Sequence, residues 1–271
     1  VSTSLITQRI IFDTTDISIA LGDFRTGTYA INYTTGKYLY IGTSTPINNL
    51  WIELSTPAGA SVGSPTIEIW FNGSWSSAVD VIDQTSGLTA SGRYSWSIDR
   101  NKGVQMEQDS ANVGLTGTYI YDRYWTRLSW SGAFTAGIKY IGQKFSSDTS
   151  LQTHYPDLLQ ASLLDGFQSG KTTWNDQHFM AADAIIKDLR KRNIILDRGQ
   201  VFDWQAFEEA SCHKVAEIIY KSFGAPYEKQ KAEAIKDYND ELGRKYVNVD
   251  KNKDGLVTVC ERQNQEGWIT R

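Results

Sequence analysis

The chain has 271 residues, 40% hydrophobic and 21% charged, the composition of a globular protein with room for one large domain or two modest ones. A net charge of −4 argues against gripping nucleic acid by bulk basic charge, and two cysteines cannot make a disulfide framework. No apolar run approaches the roughly 18 residues that span a bilayer, and Val1 to Leu5 carries neither the basic nor the apolar part of a secretion signal.

Residues 1–155 hold only 10 of the 27 Lys and Arg but six of the nine Trp and 15 of the 22 Gly, so strands and turns are expected there. Tyr38 to Ile41 is an apolar run between Gly36 and Gly42, and Leu50 to Leu54 a second run before Pro57. Thr66 to Phe71 ends at Asn72-Gly73, a tight-turn signal, and Trp75 to Asp80 continues beyond it, which predicts a hairpin. Arg93 to Ile98 alternates Tyr94, Trp96 and Ile98 with polar residues, the period of a half-buried strand. Thr118 to Tyr121, Trp125 to Trp130 and Ile138 to Ile141 complete the set. Many short strands with regular turns predict an antiparallel β-sandwich, jelly-roll-like, over residues 1–155.

Residues 156–271 carry 17 of the Lys and Arg and 19 of the 31 Asp and Glu, a composition that favours helices. Asp157 to Phe167 is the first predicted helix. Thr172 or Thr173 caps the next, whose Phe179, Ala182, Ile185, Ile186 and Leu189 make one apolar stripe. Asp203 is the expected N-cap of a third, ended by Gly224 with Pro226 just beyond. Tyr227 to Tyr246 is a fourth, more polar helix. The predicted fold class is α+β with two domains, a β-sandwich at 1–155 and a helical bundle at 156–271.

The sharpest motif lies at 250–261, where Asp250, Asn252, Asp254, Gly255, Leu256, Thr258 and Glu261 fit the twelve-residue EF-hand loop. Short oxygen-bearing side chains stand at positions one, three and five, and Gly255 allows the sharp turn at six. Leu256 offers its carbonyl at seven, Thr258 acts directly or through water at nine, and Glu261 can give two oxygens at twelve. The expected cofactor is a structural Ca²⁺; the alternative is an Asx-rich turn without metal. No second copy is present, and a lone loop of this kind is expected to bind at about 10⁻⁵–10⁻³ M.

Catalytic motifs are missing. His154, His178 and His213 are scattered, no Cys/His spacing suits zinc, and no nucleophile elbow or phosphate loop occurs. Cys212 and His213 are neighbours whose side chains diverge by roughly 100° on a helix. Cys260 inside the loop reads as a filler thiol. Asp13 with Asp16, or Asp80 with Asp83, read as turn carboxylates before they read as a hydrolase pair. Trp70, Trp75, Trp96, Trp125 and Trp130 suit either a sugar-stacking platform or a core, and core is the commoner fate. The expectation is a non-enzymatic protein.

Trp174 to Glu261 resembles the helical head–tail adaptor (connector) proteins of tailed bacteriophages. The likeness runs through the arginine-rich helix end before Asn193-Ile194-Ile195-Leu196, the Asp203-to-Gly224 segment with Ala210-Ser211 and Ile218-Ile219-Tyr220, the polar helix leading to Tyr238, and the Asp-x-Asn-x-Asp-Gly loop. The first half looks like the β-sandwich modules of phage structural proteins, through Tyr38 to Gly42, Trp75 to Asp80, Leu88 to Trp96, and Trp125 to Trp130. A β-module placed before the helices departs from the minimal adaptor. The resemblance implies a virion protein made in the host cytoplasm. It implies a homo-oligomeric ring, commonly dodecameric, that joins the portal protein to tail or other neck proteins. DNA would pass through without sequence-specific binding, and Trp268 would anchor a neighbouring protein. The alternative is a glycan-binding, baseplate or fibre-attachment virion module.

Overall fold

The alternating and continuous apolar runs of the first half become two antiparallel sheets, and the charge-dense second half becomes a helical region, so the chain is α+β. The computed structural model describes residues 8–25, 27–99, 101–244, 246–248, 250, 252–257 and 262–264. Two compact units divide the chain at Gly142 and Gln143.

In the first unit, β1 (Gln8–Phe12) and β2 (Thr15–Asp16) precede a short helix α1 (Ser18–Leu21). The strands β3 (Tyr29–Tyr33), β4 (Leu39–Thr43), β5 (Asn49–Thr56), β6 (Thr66–Phe71), β7 (Ser74–Ser77) and β8 (Val79–Asp83) follow. Last come β9 (Gly92–Ser97), β10 (Met106–Asp109), β11 (Tyr121–Ser129) and β12 (Phe134–Gly142). One sheet runs β3-β12-β5-β9-β8, the other β2-β1-β4-β11-β6-β7 with β10 also on β11. Take β3, β4, β5, β6, β7, β9, β11 and β12 as eight strands in chain order. The first sheet then holds the first, eighth, third and sixth, and the second holds the second, seventh, fourth and fifth. That interleaving is the jelly roll.

The inner faces share one core, with Ile31, Ile52, Tyr94, Trp96 and Ile138 from the first sheet against Ile10, Ile41, Ile67, Ile69 and Leu128 from the second. The second sheet is also covered outside. Ile11, Tyr40, Trp70 and Trp125 pack there under Val113, Leu115 and Ile120. A strand dry on both faces needs no alternation, which explains why β4 is buried at every position. The expected strand at Thr118 to Tyr121 is instead part of this cover, and β11 begins only at Tyr121. The β6–β7 hairpin forms as predicted, with Asn72 at φ +49° and Gly73 at φ +73°, both values a tight two-residue turn requires.

The second unit contains α2 (Asp148–His154), a 3₁₀ turn at Pro156–Leu159, α3 (Ala161–Phe167), α4 (Asn175–Lys191), α5 (Glu208–Phe223) and α6 (Glu228–Arg244). A two-stranded ribbon, β13 (Tyr246–Asn248) with β14 (Arg262–Asn264), follows. The helix α5 buries Ala210, Cys212, Val215, Ala216 and Ile219 between α4 and α6. The predicted α4 stripe, Phe179 to Leu189, is buried throughout. Three departures from the sequence reading have local causes. A capping box of Ser147 and Ser150 starts α2 seven residues ahead of the expected division at 155, and Phe145 and Leu151 already lie in helical cores. No side chain caps α4, whose N-cap is Trp174 rather than a threonine; the Asp148 carboxylate accepts the Trp174 N–H at 3.2 Å. Residues 250–257 group with the β-sandwich, not with the helices. Among the described residues, no helix is long and apolar enough to cross a membrane.

The ring of Trp125 lies across Gly42 of the paired strand, where a Cβ would stand 2.8 Å from it. Gly42→Ala is therefore expected to destabilise the sandwich by about 1–3 kcal/mol, read as a lower urea midpoint by tryptophan fluorescence.

Candidate functional site

The loop at 250–257 is preorganised by its own amides. Asp250 is fully buried; one carboxylate oxygen accepts the Lys253 N–H at 2.7 Å and the other the Gly255 N–H at 2.9 Å. Asn252 Oδ1 accepts the Asp254 N–H, and Asp254 Oδ1 accepts the Leu256 N–H. The Asn252 side-chain amide donates to the other Asp254 oxygen at 2.9 Å. These bonds gather the oxygens of positions one, three and five into one short turn.

The sandwich holds the loop from outside. Leu256 packs on the shared core, and Asp254 O accepts the Val104 N–H at 3.2 Å. Gly255 has φ +83°, and a Cβ there would meet Ile98 and Val104 at 2.5 and 2.6 Å. Both the turn and the close packing thus require glycine. Burial pushes the Tyr124 phenol up, and the charge of Asp250 adds to it. A divalent cation in the loop would offset that buried charge, so the donor set fits a hard ion. The described part contributes only two carboxylates, Asp250 and Asp254, and no group of three metal-ligating His, Cys, Asp or Glu occurs among the described residues. Thr258, Cys260, Glu261 and Trp268 lie outside the described residues.

The tryptophans do not form a platform. Trp70, Trp96, Trp125 and Trp130 are buried. Trp75 is half-buried and stacks on the Arg127 guanidinium at 4.4 Å, with Tyr38 against the same group at 4.0 Å and Glu68 bonded to it at 2.6 Å. The paired carboxylates serve turns. Asp83 accepts from Thr85 and Gly87, Asp16 from Ser18, and Asp13 pairs with Lys37.

Two polar clusters in the helical unit have no local signature in the sequence. Ser146 Oγ lies 2.7 Å from His178 Nδ1 and 2.7 Å from Ser211 Oγ, while His178 Nε2 lies 3.0 Å from Asp148 Oδ1. The tautomer that satisfies every partner carries its proton on Nε2 and donates it to Asp148. These are the residue types of a nucleophile relay, but Ser146 is only 5% exposed and bonded on both sides. The network ties the 146–148 segment to α4 and α5. Burial pushes the Cys212 thiol up to about 11, so it stays protonated at neutral pH. The second cluster joins His154, Tyr155, Glu209 and His213, and it borders a cleft of about 490 Å³ lined by α2, Gln205 and the start of α5, including Ser150, His154, Glu208 and Glu209.

No family model and no curated protein matches this chain.

Two outcomes are expected. Millimolar calcium raises the melting temperature, and Glu261→Gln abolishes the rise; no calcium effect in the parent would mark an empty turn. The second concerns acid. Burial, aided by the charge of Lys144, holds His178 below its ordinary 6.5 against the pull of Asp148. Burial pushes Asp148 up, but bonds from His178 and the Trp174 N–H and nearby positive charge outweigh it and hold it low. The unfolded chain therefore takes up the His178 proton first, and stability falls as pH drops below about 6.5. The share from Asp148 is present above its ordinary 3.8 and is lost below it. His178→Gln should cost about 1–3 kcal/mol at pH 7.5 and flatten the melting-temperature slope between pH 7.5 and 5.

Proposed function

We propose that this protein is a structural virion component of a tailed phage, a head–tail adaptor that carries an added jelly roll. One observation supports this reading above the others. The helices of the segment that resembles the adaptors lie within one compact unit, built around α5, with the quoted Ala210, Ile219 and Tyr238 in its cores, while the 250–257 loop groups with the sandwich. A self-contained helical unit is what a ring subunit needs, because neighbouring copies then contact folded surfaces. The jelly roll supplies a second, separate surface for capsid, fibre or neck proteins. Jelly rolls close their apolar faces inward and leave their loops free for contacts. A net charge of −4 suits a ring through which DNA slides, since a strongly basic lining would retain it. Calcium in the 250–261 loop would fix the return of the chain to the sandwich. Trp268 is the proposed anchor on a neighbouring protein.

Co-expression with the portal protein of the same phage should give ring-shaped complexes in negative stain, and the protein should copurify with virions. Trp268→Ala should weaken that copurification and leave the melting temperature unchanged. A strictly monomeric protein absent from purified virions would overturn the proposal.

A further inference from the structure

The helical unit opens with a lysine held against an asparagine. Lys144 lies two residues beyond β12, and Asn175 is the first residue of α4. The Lys144 Nζ donates to Asn175 Oδ1 at 2.6 Å. A carbonyl bond is about 1.2 Å long, so Nζ stands within about 4 Å of the amide carbon. That is close to the separation of about 3–3.5 Å from which a nucleophile attacks.

The pair is removed from water. Lys144 is only 8% exposed, and its Nζ lies 5.4 Å from the centre of the buried Phe179 ring. Burial makes it easier for an ammonium to lose a proton, and only the free amine has the lone pair that attacks carbon. A carboxylate stands beside the pair. Asp148 accepts the N–H of Trp174, the residue before Asn175, at 3.2 Å. Burial pushes Asp148 up, and after the bond and charge of His178 and the Trp174 N–H, the charge of Lys144 helps to hold it low. The lysine and the carboxylate therefore lie within each other's field.

We infer that Lys144 and Asn175 join in an intramolecular isopeptide bond. Asp148 takes a proton from the Lys144 ammonium. The Nζ lone pair attacks Cγ of Asn175 and forms the new C–N bond, and the old C–N bond of the side-chain amide breaks. Nζ sheds two protons in all, and both depart with the amide nitrogen as an ammonium ion. Asp148 ends as it began, no electrons are gained or lost, and no co-reactant is needed. The bond closes residues 145–174 into a loop. Tension along the chain from β12 then passes into α4 without unfolding α2 or α3.

The test is intact mass spectrometry of the purified full chain, held at mildly alkaline pH. The mass should fall below the sequence mass by one ammonia molecule. Trypsin should fail to cut after Lys144 and should release a branched peptide that joins it to Asn175. Lys144→Arg and Asn175→Ala should each keep the full mass and melt at a lower temperature than the parent. Asp148→Asn should form the bond at least about tenfold more slowly. If a variant fails to fold, the branched peptide of the parent decides alone. A parent of full sequence mass would overturn the proposal. So would an ammonia loss that maps to Asn72-Gly73, where an asparagine before glycine can cyclise unaided, and that persists in Lys144→Arg. In either event Lys144 and Asn175 share only a hydrogen bond.

Discussion

Strand β11 meets an apolar cluster on each face of its sheet, through Trp125 on one and Leu128 on the other, and much of the first unit is arranged to cover both. Its Leu128 enters the core between the sheets, and its Trp125 enters the cluster outside. It bonds β4 on one side and β6 and β10 on the other. A large ring on the outer face needs room, and Gly42 on β4 provides it. It also needs a lid, which the segment from β10 to Ile120 provides through Val113 and Leu115. Apolar area removed from water is the main stabilising term, so a sheet covered twice gains twice from the same backbone. The stretch that precedes this lid includes Val104, and the 250–257 loop packs on Val104 and Ile98. The geometry of the candidate calcium loop thus derives from the jelly roll as well as from its own Asx turns.

The helical unit meets the complementary constraint. Its central helix α5 is buried along one side, so every polar group there needs a partner. Ser211 finds one in Ser146, Ser146 in His178, and His178 in Asp148. A neutral imidazole completes this chain, and a charged one is disfavoured because burial removes it from water. The same bonds that fasten α2 to α4 and α5 therefore make this unit sensitive to acid.

The candidate calcium loop and the histidine cluster differ in how far they could be seen in advance. The residues of the candidate loop lie within twelve consecutive positions, so their spacing could be read directly from the sequence. The histidine cluster joins groups from two helices, with Tyr155 and His213 separated by 58 positions. Read along the chain, the three histidines are scattered and no zinc spacing exists. Read in space, two of them lie 5.6 Å apart beside a carboxylate.

The sequence by itself determined the elements whose constraint is local. Asn72-Gly73 set the β6–β7 hairpin, because only such residues adopt two successive positive φ values cheaply. The period of Phe179 to Leu189 set the buried stripe of α4, and Gly224 set the end of α5. Elements with weak local pattern escaped it. β10 reads Met-Glu-Gln-Asp, and β8 is interrupted at Asp80 with φ +51°. The start of α2 was hidden because Ser150, not Glu or Gln, closes its capping box. Tertiary structure alone decided which tryptophans were core, where the helical unit began, and that residues 250–257 belong with the sandwich. Those outcomes depend on contacts between residues tens to hundreds of positions apart, and such contacts leave no period along the chain.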